Sequence, residues 1–232
     1  MTKSMDARLL AAQVAIDNAL NNADIKAYLA QYGYESARLN EGKALLAATQ
    51  QLHQKQKSEY GDQFATTTAL QSVWEQANNE YMRCVKIARV ALKSDRGARQ
   101  KLALDGKRKV IISGWITQAR QFYANALADA GITAKLAEYG ITQEKLQSGQ
   151  QQVAQVETAN IAQKKEKGEA QQATLERDAA LKKLDDWMSD FTAVARVALE
   201  EKPQLIEKLG ILEASSESRS RTKKPPAGPE PS

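Results

Sequence analysis

Three carboxylates stand close together in Leu184-Asp185-Asp186-Trp187-Met188-Ser189-Asp190-Phe191. Asp186 and Asp190 are four residues apart, so a helix would put both on one face, where two carboxylates can start to hold a divalent cation. Lys182 and Lys183 precede them by about one turn, and ion pairing on a solvated face is the weightier reading. Asp185, Asp186 and Asp190 are therefore weak metal candidates. His53 is the only histidine and Cys84 the only cysteine. A nucleophile–histidine arrangement would have to rest on His53 alone, and no Cys or carboxylate stands near it at metal-ligand spacing. His53 reads as a polar residue between helices, and Cys84 as a small buried hydrophobe. A single cysteine excludes an internal disulfide and a cysteine zinc cluster. The sequence has no H-E-x-x-H, no Walker loop and no Gly-rich dinucleotide turn. No catalytic residue and no cofactor is expected.

The other chemistry is cationic. Lys93, Arg96, Arg99, Lys101, Lys107, Arg108 and Lys109 face only Asp95 and Asp105 within residues 93–109, and this segment carries the chain's basic excess. Clustered Lys and Arg can neutralise phosphates or an acidic protein surface. Cations after a long helix also complement its C-terminal dipole with no ligand involved. The segment is the best candidate for binding an anionic partner.

What positions these residues is a recurrence. Leu29–Gly42 (LAQYGYESARLNEG) returns as Leu136–Gly149 (LAEYGITQEKLQSG), and ARVAL at Ala88–Leu92 returns at Ala195–Leu199. An offset of 107 aligns about residues 5–107 with 112–214 without a gap, at roughly a quarter identity. The sequence reads as a tandem duplication, 1–106 and 107–214, followed by a basic, Pro-rich tail, 215–232, too polar to bury and expected to be disordered.

Each copy is rich in helix formers and has no alternating β-branched run, which predicts an all-α fold. A first helix with one apolar stripe covers about 6–22 and again about 113–129. A short helix follows, capped by Asp24 in the first copy and Gly131 in the second. Gly33 and Gly140 stop it in the left-handed conformation, with Tyr34 and Ile141 folding back on Leu29 and Leu136. Apolar steps of three and four then continue in one phase from Leu39 to Ala91 and from Leu146 to Ala198. This predicts two long helices, about 36–92 and 143–199, packed antiparallel as a coiled-coil-like stalk with helical heads. The alternative breaks the chain into hairpins at Gly61 and Gly168, giving two consecutive bundles. A last short helix ends at Gly210, where the first copy has Ala103.

The N-terminus lacks the apolar core of a signal peptide, and no apolar run approaches the roughly 20 residues of a membrane span. A cytoplasmic protein without membrane insertion is expected. These features point to a non-enzymatic helical scaffold or adaptor acting on other proteins, with nucleic-acid or acidic-partner binding through 93–109 and the tail as the alternative. A metal-dependent enzyme built on the three aspartates is the remote third reading, and the oligomeric state stays open. If Gly33 and Gly140 are helix stops with positive φ, Gly33→Val and Gly140→Val each cost on the order of 1 kcal/mol or more. Thermal melting measures this, and unchanged midpoints in both variants would misassign the stops.

Overall fold

The computed structural model describes residues 4–211. Among them are eight helices and no strand: α1 Met5–Asn21, α2 Ala23–Ala30, α3 Ser36–Ala91, α4 Arg96–Lys101, α5 Ile112–Ala128, α6 Ala130–Ala137, α7 Gln143–Ala198 and α8 Pro203–Lys208. The helices of the second set each begin and end 107 residues after their counterparts in the first. The expected tail, 215–232, lies outside the described residues.

Local chemistry sets these boundaries. One extended residue separates α1 from α2, so Asn22 ends one helix and caps the next, its Oδ1 accepting from the Ile25 N–H at 3.1 Å. Asp129 does the same between α5 and α6, accepting from the Gly131 and Ile132 N–H groups. The caps expected at Asp24 and Gly131 are thus found two residues earlier. A kink with no connecting loop leaves no room for a separate cap residue. Gly33, Gly140 and Gly210 have φ of 80°, 79° and 70°. In each stop the following residue donates back across the turn: Tyr34 N–H to Leu29 O, Ile141 N–H to Leu136 O, and Ile211 N–H to Ile206 O. Ala103 completes the set. Its φ is 48°, and the Leu104 N–H closes the same turn onto Arg99 O at 2.9 Å. The fourth stop therefore has the shape of the others although its side chain disfavours it.

Both long helices are continuous. Gly61 and Gly168 lie inside α3 and α7, which overturns the hairpin alternative. The two helices pack against each other and run antiparallel. Lys55 pairs with Glu176, Tyr60 meets Thr174, and Thr67 meets Gln163, so ascending numbers on one helix match descending numbers on the other. Towards the helix ends the seam is buried and apolar, as at Leu39, Leu46, Ala77, Tyr81, Val153 and Phe191. Around Gln56, Tyr60, Gln63 and Gln163 it is only half-buried, as the polar seam residues require. At two positions the three-and-four steps from Leu39 and Leu146 are left: Thr66 and Glu166 are half-buried, while Thr67 and Lys167 are exposed.

The chain forms two compact units, one from residues up to His53 with those from Arg177 on, the other Gln54–Glu176. In the first, Ala19, Leu29 and Tyr34 pack with Phe191, Leu205 and Leu209. Trp187 stacks on Phe191 with centroids 5.2 Å apart, and Tyr34 meets both edge-on. In the second, Tyr81, Trp115, Phe122 and Tyr123 form an aromatic centre at other positions of the set. Two glycines admit these rings: a Cβ on Gly42 would overlap Trp187, and one on Gly149 would overlap Tyr123.

Because the Ala103 stop is strained and its three counterparts are glycine, Ala103→Gly stabilises the chain by about 0.5–1 kcal/mol. Urea unfolding reads the change, and a lower midpoint than the parent would contradict it.

Candidate functional site

The three aspartates do not converge. Asp185 is ion-paired with Arg8 of α1. Asp186 is paired at 2.8 Å with Lys182 one turn earlier on the exposed side of α7. Asp190 is near enough to Tyr34 that its charge, after burial, helps raise the phenol's pKa. The Arg8–Asp185 pair has a counterpart 107 positions away, where the Trp115 indole N–H donates to Asn78 Oδ1 at 2.8 Å. In each unit the first helix of the set is fastened at this point to the facing long helix. Asp185 thus occupies a position with a packing task. Among the described residues, the carboxylate group that does gather is Glu59, Glu166 and Glu169, with oxygens within 4.8 Å of one another. Lys165 pairs with both Glu166 and Glu169 and offsets part of the gathered charge.

His53 is buried on α3 beside Thr49, and its Nε2 lies 3.2 Å from Asp6 Oδ1. Its Nδ1 is buried without a hydrogen-bond partner. It acts as a polar seam residue tied to the start of α1. Cys84 is buried in the second unit, and burial pushes its thiol pKa up, away from the thiolate a nucleophile needs.

The basic segment is partly consumed by the fold. Arg99 pairs with Asp105, whose carboxyl is held below its usual range mainly by that hydrogen bond. Lys101 pairs with the cap residue Asp129 at 2.9 Å, and this contact, with the Ile132 N–H, lowers the Asp129 pKa. The stabilisation from such lowered carboxylates is present above the unfolded value and is lost as pH falls through the folded one. Arg108 is the clamp of the segment. Its guanidinium donates to Tyr81 OH at 3.0 Å, to Ala103 O, and to Asp105 O at 3.1 Å. Arg89 adds a bond from Nε to Leu104 O at 2.9 Å. Among the described residues, Lys93, Arg96, Lys107 and Lys109 have no ion pair. Beside them Val110 and Ile111 are 81 % and 74 % exposed, in a shallow cleft between Lys107 and Gly114. The junction is thus a clamped loop that presents an apolar pair among free cations.

A second feature involves none of the motifs considered so far. In the first unit a cleft of about 330 Å3 opens between α1, the last turns of α7 and the end of α8. Ala12, Ala15, Leu184, Met188, Leu209 and Ile211 line it, together with Arg196 and the paired Arg8 and Asp185.

No protein-family model matches this chain, and neither a curated protein nor a solved structure matches it. The chain's own geometry is what bears on its function. Among the described residues no helix is long and apolar enough to cross a membrane.

Arg108→Met removes a donor from Tyr81, Ala103 and Asp105 together, and it costs about 1–3 kcal/mol in urea unfolding. Lys107→Met stays within about 0.5 kcal/mol of the parent. Equal effects of the two substitutions would mean that Arg108 holds nothing.

Proposed function

We propose that the protein is a non-enzymatic helical scaffold that acts by binding other proteins, with the segment between its two helical sets as a contact surface. The carrying observation is the pairing of Val110 and Ile111, both largely exposed, with Lys107 and Lys109 on a loop held by Arg108. A fixed loop loses little conformational freedom on binding, and two exposed branched apolar side chains offer area that a partner can bury. The flanking lysines suit a partner with carboxylates around an apolar patch. The polar groups that could do chemistry are largely engaged in holding helices together, which supports a role without catalysis.

The repeated helix boundaries support a second element of this reading, that one ancestral four-helix unit was doubled. Equivalent side chains make equivalent contacts: Asn18 donates to Lys208 O, and Asn125, 107 positions later, donates to Lys101 O. Such a duplication lets one chain do what a symmetric homodimer does, with each half free to diverge.

The alternative, nucleic-acid or acidic-surface binding through 93–109 and the tail, draws on the cations left without ion pairs, Lys93, Arg96, Lys107 and Lys109. The exposed apolar pair favours the protein partner, since phosphates gain nothing from Val110 and Ile111.

Affinity capture with the full chain tests this. Proteins recovered by the parent are lost with Val110→Ser/Ile111→Ser while the melting temperature is unchanged. Recovery of the same proteins by both forms would overturn the role of the loop. Retention of a random-sequence duplex at low salt, lost only when the four free cations are replaced by Gln, would transfer the assignment to nucleic acid.

A further inference from the structure

The two units differ where their equivalent helices meet, and the difference creates the cleft beside α1. In the second unit that region holds Trp115, Phe122 and Tyr81, all fully buried, with Tyr81 edge-on to the other two rings at 6.0 and 5.6 Å. The positions 107 residues away in the first unit are Arg8, Ala15 and Met188, which all line the cleft. Three rings are thus replaced by one flexible thioether, one methyl group and one guanidinium held outward by Asp185. The first unit has rings of its own at Tyr34, Trp187 and Phe191, but none of them lines the cleft, and the space beside Ala15 and Met188 stays open.

The polar edge differs as well. In the second unit Arg89 spends its Nε on Leu104 O. Its equivalent Arg196 lines the cleft and, among the described residues, has no ion pair or hydrogen bond. A guanidinium with an unused fork, beside an apolar floor of Ala12, Ala15, Leu184 and Leu209, is suited to a planar carboxylate on an apolar body. Met188 adds a polarisable sulfur, which favours an aromatic ring over an aliphatic chain. The volume, about 330 Å3, is at the small end of ligand pockets and matches a compound of one or two rings.

We propose that this cleft is a binding site for a small aromatic carboxylate, with the ring on Ala12, Ala15 and Met188 and the carboxylate on Arg196. The inference does not depend on the scaffold reading, because the cleft and the junction loop share no residue.

The experiment uses the full chain with carbon-13-labelled methionine methyl groups and indole-3-acetate as the probe, followed by NMR and calorimetry. The probe shifts the Met188 methyl signal and leaves that of Met82, in the other unit, unmoved. Arg196→Gln, at an exposed position, weakens indole-3-acetate by about tenfold or more and leaves neutral indole unaffected. Ala15→Phe, which restores the ring found at position 122, abolishes binding of both while the chain remains folded. The proposal is overturned if millimolar probe leaves Met188 unmoved, or if Arg196→Gln binds like the parent.

Discussion

The structure depends on the uninterrupted phase of α3 and α7. Each is 56 residues long, and each contributes residues to both compact units. One residue inserted in the middle of α3 would turn everything after it by about 100° about the helix axis. Leu39 and Leu46 before the insertion would lose their phase with Leu70, Ala77 and Tyr81 after it. Gly61 and Gly168 sit inside these helices at a cost of about 1 kcal/mol each relative to Ala. That cost is tolerable because the register on either side of them is fixed by buried residues far outnumbering two glycines.

Within this frame the two sets of helices use different chemistry for the same contact. The first helix of each set is fastened to the long helix opposite by Trp115 and Asn78 in one unit and by Arg8 and Asp185 in the other. An indole–amide hydrogen bond and an ion pair are interchangeable here because both span the same gap at the edge of the core. The stops show the same tolerance. Three use glycine, and the fourth accepts Ala103 with positive φ, its carbonyl held by Arg108.

Much of this was legible beforehand because periodicity and glycine placement are local signals. The all-α class, the long helices and the stops at Gly33, Gly140 and Gly210 all follow from spacing. The two caps were missed because Asp24 and Gly131 stand where a looped connection would put a cap, and only the backbone reveals a one-residue kink at Asn22 and Asp129. Asp185, Asp186 and Asp190 are neighbours in sequence, yet helical rotation gives them different partners. The basic cluster looked uniform, but Arg99, Lys101 and Arg108 are drawn inward by acceptors distant in sequence, or by carbonyls at a turn. The cleft has its own trace in the sequence, since the aromatic residues at 115, 122 and 81 stand opposite Arg8, Ala15 and Met188 across the offset.

The first unit is closed by opposite ends of the chain, and this matters while the protein is being made. Ala19, Leu29 and Tyr34 leave the ribosome early, but Phe191, Leu205 and Leu209, which cover them, follow some 150 or more residues later. At about 5–20 residues per second the wait is on the order of ten to thirty seconds. Gln54–Glu176 has by then emerged with its own core complete. The nascent chain therefore carries a finished unit and an uncovered apolar face at the same time, and that face is a natural point of engagement for a holding chaperone.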